Sequence, residues 1–229
     1  MRFEGREINT GSIRTDDKCR GCNKCVSACP IPGANIAAAP IEGESRVFVD
    51  QDKCILCGSC IDSCTHGARI YADDTARMLE DLTALREGRR KRPISLVVAP
   101  SFIINYPTQY RKVLGWLKGQ GVEHIYSASI GADITVWAYI KYLQESGRDG
   151  MLSQPCPVIV NAVEKYHPEL LDRLMPIQSP LMCTAIYLRN YRKMETDLAF
   201  LGPCIAKKAE IERPENRTYV QYNVTFQAL

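Results

Sequence analysis

Residues 19–30 read C-R-G-C-N-K-C-V-S-A-C-P and residues 54–65 read C-I-L-C-G-S-C-I-D-S-C-T. Both stretches carry C-x2-C-x2-C-x3-C, so the chain contains an internal repeat. At this spacing a tight loop turns three thiolates toward one cubic iron–sulfur cluster, while the fourth points away and serves the other cluster. Cys19, Cys22, Cys25 and Cys64 are therefore expected to hold one 4Fe–4S cluster, and Cys54, Cys57, Cys60 and Cys29 the second. Two zinc sites would need paired C-x2-C units with a longer gap, which the doubled pattern does not supply. Gly21 and Gly58 stand inside the loops, where a missing Cβ lets backbone N–H groups approach sulfur. Thr65 stands where the first repeat has Pro30.

Working outward, eight of the eleven cysteines fall within the first 64 of 229 residues. A cluster this dense, behind a start too polar to be a secretory leader, favours metal ligation in a reducing, cytoplasmic compartment over disulfides. No 18-residue apolar run occurs, since residues 93–110 are interrupted by Pro100, Asn105 and Pro107, and a membrane span is not expected. A net charge of +3 without a dominant basic tract does not imply nucleic acid. The short run Arg89–Arg92 reads as a solvated linker.

The organisation expected is α+β: a small two-cluster module over residues 1–72, a linker helix and basic linker over 73–92, and a parallel-sheet α/β domain over 93–229. Leu79, Leu82 and Leu85 recur at helical spacing before Gly88. Beyond Arg92 the chain alternates strands (94–99, 124–128, 151–153, 198–201) with helices (109–118, 133–145, 158–174, 180–191). In open parallel sheets chemistry sits at the carboxyl ends of the strands, here the loops at Pro100-Ser101, Pro155-Cys156-Pro157 and Gly202-Pro203-Cys204. His66, His124 and His167 lack partners at metal-ligand spacing and read as structural. Cys183 reads as a core thiol, and Trp116 and Trp137 as core residues.

With these motifs in order, the chain resembles the iron-only (FeFe) hydrogenase family. The resemblance rests on Ser153-Gln154-Pro155-Cys156-Pro157, residues 164–170 (E-K-Y-H-P-E-L), Ser179-Pro180 and residues 202–208 (G-P-C-I-A-K-K) behind a two-cluster, bacterial ferredoxin-like module. It implies that Cys156 and Cys204 are two of four thiolates for the cubane part of an H-cluster. Lys207 would hydrogen-bond one cyanide of the diiron part, and Pro100 and Ser101 would contact the other. The family's later glycine-rich cysteine motif is not reached by Leu229. The domain is thus expected to be incomplete, with an H-cluster only in a longer chain. Counting from the shared motifs places Pro155, Met175, Tyr139 and Tyr142 where hydrogen-evolving members carry a proton-relaying cysteine, serine and two glutamates. Neither Pro nor Met relays a proton, and a phenol is a poor shuttle at neutral pH.

This pattern resembles the family's sensory branch, in which signalling domains often follow. The expected function is electron passage from a redox partner through two clusters toward a hydrogenase-like domain, sensory rather than fast in hydrogen turnover. The alternatives are an electron carrier whose α/β domain is a metal-free interaction surface, and an active hydrogen enzyme.

Overall fold

The computed structural model describes residues 2–3, 6–7, 9–41 and 44–229. They divide into two compact units, residues 1–72 with 164–166, and residues 73–163 with 167–229.

The first unit is built from short pieces, as expected of a module with little apolar surface to bury. Its strands are β1 (Arg2–Phe3), β2 (Arg6–Glu7), β3 (Ile13–Thr15), β4 (Asn35–Ile41), β5 (Glu44–Val49) and β6 (Arg69–Tyr71), paired antiparallel as β1–β2, β3–β6 and β4–β5. The expected strand at Val47–Val49 is the end of β5. Two one-turn helices, α1 (Lys24–Ser27) and α2 (Ser59–Asp62), follow the second cysteine of each repeat. Ile13, Ala34, Val47, Val49 and Ala68 form its small buried interior.

The second unit carries a four-stranded sheet. Its strands β7 (Ile94–Val98), β8 (Val122–Ser127), β9 (Asp197–Gly202) and β10 (Tyr222–Thr225) lie all parallel in the order β10-β9-β7-β8. Every residue of β7, β9 and β10 is buried, the pattern of parallel strands covered on both faces. Helices α3 (Thr75–Arg86), α4 (Ser101–Asn105), α5 (Tyr110–Gly119), α6 (Ser129–Ser146), α7 (Pro157–Tyr166), α8 (Pro180–Asn190) and α9 (Lys207–Glu212) connect and flank them. The expected α/β parallel sheet is thus present.

Several local expectations change. The helix α3, read as a linker, buries Met78 and Leu82 in a core shared with Leu96, Leu201 and Val224. The basic run beside it is solvated at Arg89, Lys91 and Arg92, but Arg90 is partly buried and pairs with Asp81 at 2.9 Å and with Asp197, which Arg92 also reaches at 3.0 Å. The expected strand 151–153 reduces to one bridge, Leu152 with Leu174. The long helix expected over 158–174 stops at Tyr166 and resumes as a 3-10 turn over Pro168–Arg173, because the residue before a proline is pushed out of the α region; His167 has φ −136° and ψ 53°. Trp116 and Trp137, read as core, are 47% and 62% exposed on the outer faces of α5 and α6. Gly131 lets α6 cross α8 closely: a Cβ there would stand 1.9 Å from the Pro180 carbonyl oxygen.

Candidate functional site

The two cysteine loops of the first unit share one backbone plan. In each repeat the residues flanking the second cysteine are left-handed: Gly21 (φ 64°) and Asn23 (φ 60°) in the first, Leu56 (φ 63°) and Gly58 (φ 86°) in the second. A left-handed residue followed by a helical one turns successive N–H groups into one concavity, an anion-binding arrangement suited to thiolate and sulfide. Holding a bulky residue such as Leu56 at positive φ costs on the order of 1–3 kcal/mol, so the loop is over-determined by its surroundings. Gly21 has a further reason: a Cβ there would fall 2.6 Å from the Ser45 carbonyl oxygen.

Cys19, Cys22, Cys25 and Cys64 line a single concavity together with Val47, Ala68 and Arg69. Cys64, 39 residues beyond Cys25, comes in from the second repeat. Its partial burial, which opposes ionisation, is outweighed by backbone N–H groups of His66, Ala68 and Arg69 directed at its sulfur, and its pKa is lowered. Cys25 receives a hydrogen bond from Arg69 Nη2 at 3.0 Å.

In the second group, burial raises the Cys54 thiol despite the Leu56 N–H at 3.4 Å, and the charges of Cys57 and Cys29 raise it further. The charge of Cys29, from the first repeat, thus reaches Cys54 in the second. Burial also pushes Cys60 up to about 12, with Arg69 opposing and Cys54 and Cys57 adding to the rise. Thiols crowded this way repel one another as anions, and a metal cluster relieves that repulsion by drawing off the charge. A thiolate donor set, a concavity lined by four cysteines and inward N–H groups all fit iron–sulfur clusters. Among the described residues, no three His, Cys, Asp or Glu side chains converge closely enough to hold a single metal ion. All eleven cysteines are free thiols.

In the second unit β7 and β9 run side by side, and Ala99 N–H donates to the Leu201 carbonyl at 2.8 Å. The loops bearing Pro100-Ser101 and Pro203-Cys204 therefore leave the sheet as neighbours. Lys207, at the start of α9, ties a third loop to them by donating to the Pro155 carbonyl at 3.1 Å. Cys156 caps α7, and Cys204 is anchored by Asn223 Nδ2 donating to its carbonyl at 3.3 Å. Beside this junction lies a cavity of about 270 Å³, walled by Gln154, Pro157, Val160, Ser179, Glu210 and Arg213 among others.

Sequence reasoning missed Glu210. Its carboxylate accepts from Lys207 Nζ at 2.5 Å, both side chains being about one-tenth exposed. The i,i+3 spacing in 207–210 was the available signal. Lys207 is thus neutralised by Glu210 instead of offering a bare charge. Cys183 is held by Thr135 and the Gln178 carbonyl, both at 3.3 Å, and burial raises its pKa. Two thiolates and a lysine already paired do not make a full ligand set for a diiron–cubane group. The three histidines have local partners: His66 Nδ1 lies 3.8 Å from Cys22 Sγ, His124 is 3.4 Å from Glu123 and His167 3.2 Å from Glu169.

Comparison with known proteins places this geometry. Residues 92–229 match the family model described as iron only hydrogenase large subunit, C-terminal domain. The chain belongs to that family. Residues 18–68 match a 4Fe-4S dicluster domain. Iron hydrogenase 1 of Clostridium pasteurianum is 24% identical over 232 residues, covering 76% of this chain and 40% of the relative. The NADP-reducing hydrogenase subunit HndD of Solidesulfovibrio fructosivorans is 22% identical, covering 92% of this chain and 41% of that protein. The chain thus spans about two-fifths of the length of these relatives. A structure of the hydrogenase HydA1 from Chlamydomonas reinhardtii shares the fold, with TM-score 0.56 at 18% identity, covering 67% of this chain and 45% of that one. Among the described residues no helix is long and apolar enough to cross a membrane.

Proposed function

We propose that this hydrogenase-family protein binds two 4Fe–4S clusters through its first unit and relays electrons from a redox partner toward the hydrogenase-like domain. Cys19, Cys22, Cys25 and Cys64 hold one cluster, and Cys54, Cys57, Cys60 and Cys29 the other. The observation that supports this reading is that Cys64, from the second repeat, lines the first repeat's concavity with Cys19, Cys22 and Cys25. Each cluster, when bound, supplies a one-electron redox couple. The chain's own work is to hold thiolates without water between them, to aim N–H groups at sulfur, and to join the two halves of the module. Residues 1–72 act as this module, and a dense set of metal-ligating cysteines suits a reducing, cytoplasmic setting.

The second unit's role is sensory rather than fast hydrogen turnover. Pro155 offers only its carbonyl, taken by Lys207, and Met175 is 3% exposed with no proton to give. Tyr139 OH is engaged with the Gln154 N–H at 3.2 Å. A second reading, a metal-free interaction domain, is favoured by the Lys207–Glu210 pair and by the exposed Val136, Trp137 and Ile140 on α6.

The protein reconstituted anaerobically with iron and sulfide is expected to hold about eight irons and eight sulfides per chain, and zinc is not expected to displace them. Iron and acid-labile sulfide assays check this. A value near four overturns the two-cluster reading, and a value near twelve removes the metal-free reading of the second unit.

A further inference from the structure

Arg69 is 5% exposed, and it lies on β6 immediately after the second cysteine repeat. A guanidinium does not lose its proton in a protein, so this is a permanent charge taken out of water. A buried cation is normally matched by a carboxylate, because an unmatched one is costly. Here, among the described residues, its polar partners are neutral or sulfur: Nη1 donates to Thr15 Oγ1 at 2.8 Å, and Nη2 donates to Asn35 Oδ1 at 2.6 Å and to Cys25 Sγ at 3.0 Å. Thr15 Oγ1 in turn donates to the Val47 carbonyl at 2.6 Å, and Asn35 is itself buried, so the guanidinium is held in one position by a fixed frame. Its charge also acts on Cys60 and Cys64. It lines one concavity with Cys25 and Cys64 of the first ligand set, and its charge reaches Cys60 of the second.

Building on the two-cluster reading, we propose that Arg69 is the countercharge that holds the cluster of Cys19, Cys22, Cys25 and Cys64 at a higher reduction potential than its neighbour, so that an arriving electron comes to rest there. Reduction takes one electron from a one-electron donor protein, which is oxidised by one. One negative charge is added beside the Cys25 sulfur. No bond forms or breaks, and no proton moves, because the guanidinium is already protonated. Hydrogen bonds to sulfur and local charge are two of the terms that set cluster potentials, and Arg69 supplies both from one side chain. Arg20 and Lys24 line the same concavity but are exposed, so water and salt screen them. The hydrogen bond goes to the first set alone, which gives the asymmetry between the clusters.

The full reconstituted chain should be titrated with dithionite against mediators and followed by EPR, after its iron content has been measured. In Arg69→Gln, with iron still near eight, one of the two signals is expected to need a lower potential. Its ratio of reduced to oxidised cluster at the wild-type midpoint should fall at least tenfold, about 59 mV for a one-electron couple. Arg69→Lys is expected to keep most of the wild-type value, and Arg20→Gln and Lys24→Gln to keep all of it. Wild-type midpoints for both clusters in Arg69→Gln overturn the proposal. Should Arg69→Gln fail to retain iron, pulsed EPR on the Arg20→Lys protein carrying arginine labelled with 15N in the guanidino group only decides: a guanidinium nitrogen coupled to the reduced cluster supports the proposal and its absence overturns it. An iron content near four in the wild type overturns the two-cluster reading instead, so the two failures are distinct.

Discussion

Cys29→Ser is expected to abolish the cluster whose other ligands are Cys54, Cys57 and Cys60, while the cluster built by its own neighbours Cys19, Cys22 and Cys25 survives. Cys29 is the last cysteine of the first repeat, yet its charge is felt by Cys54 in the second. Serine offers a far poorer iron ligand than thiolate, so iron should fall from about eight toward about four per chain. Because the clusters cross-link two halves that have little apolar core, the loss should also loosen the module, visible as faster proteolysis of residues 1–72. EPR of the reduced variant checks the topology. A single uncoupled signal that responds to Arg69→Gln identifies the surviving cluster as the one beside Cys25, and a surviving signal indifferent to Arg69 contradicts the crossed arrangement.

Asp74→Ala is expected to cost the second unit about 1–3 kcal/mol, the penalty for leaving the buried Asn223 N–H unsatisfied, while Lys208 keeps Glu212 at 3.1 Å. Asp74 accepts Lys208 Nζ at 2.9 and 3.0 Å, the Asn223 N–H at 2.9 Å and Arg77 at 3.1 Å, joining the start of α3 to α9 and β10. Burial alone would raise its pKa, but the Asn223 N–H and Lys208 outweigh it and the carboxyl titrates below its ordinary value. A depressed folded-state pKa contributes stability that is fully present above the unfolded value, near ~3.9, and is lost as pH falls through the folded value. The penalty of Asp74→Ala should therefore be large at neutral pH and shrink as acid is added. Both tryptophans lie in the second unit, so urea unfolding followed by their fluorescence reads this unit alone. A penalty under about 1 kcal/mol at neutral pH, the size of an exposed ion pair, contradicts the account.

The cysteine frame was legible because a cluster demands ligands at fixed spacing, and the parallel sheet because strands buried on both faces must be continuous apolar runs, as in residues 94–99 and 198–201. What escaped was tertiary. Nothing in the run Arg89–Arg92 shows that Asp197, some hundred residues later, folds back to meet it. Helical spacing placed Trp116 and Trp137 on helices but did not tell which face the sheet would cover. The break at His167 is readable from Pro168, although the amphipathic periodicity runs on through it. Arg69 looked like any residue of a short strand, since its meaning lies in Thr15, Asn35 and Cys25, which only the fold brings to it. Glu210 was hidden likewise, being one acid among several until the start of α9 pairs it with Lys207 inside the unit.

Two clusters held in one module of about seventy residues should lie close enough to share electrons. The measurement that tests it most directly is a coulometric reduction of the reconstituted full chain, with EPR spectra recorded along the titration. The account predicts uptake of about two electrons per chain, with a simple signal at half reduction that broadens and splits as the second cluster becomes paramagnetic beside the first. Uptake of about one electron, ending in a single unsplit signal, would contradict it.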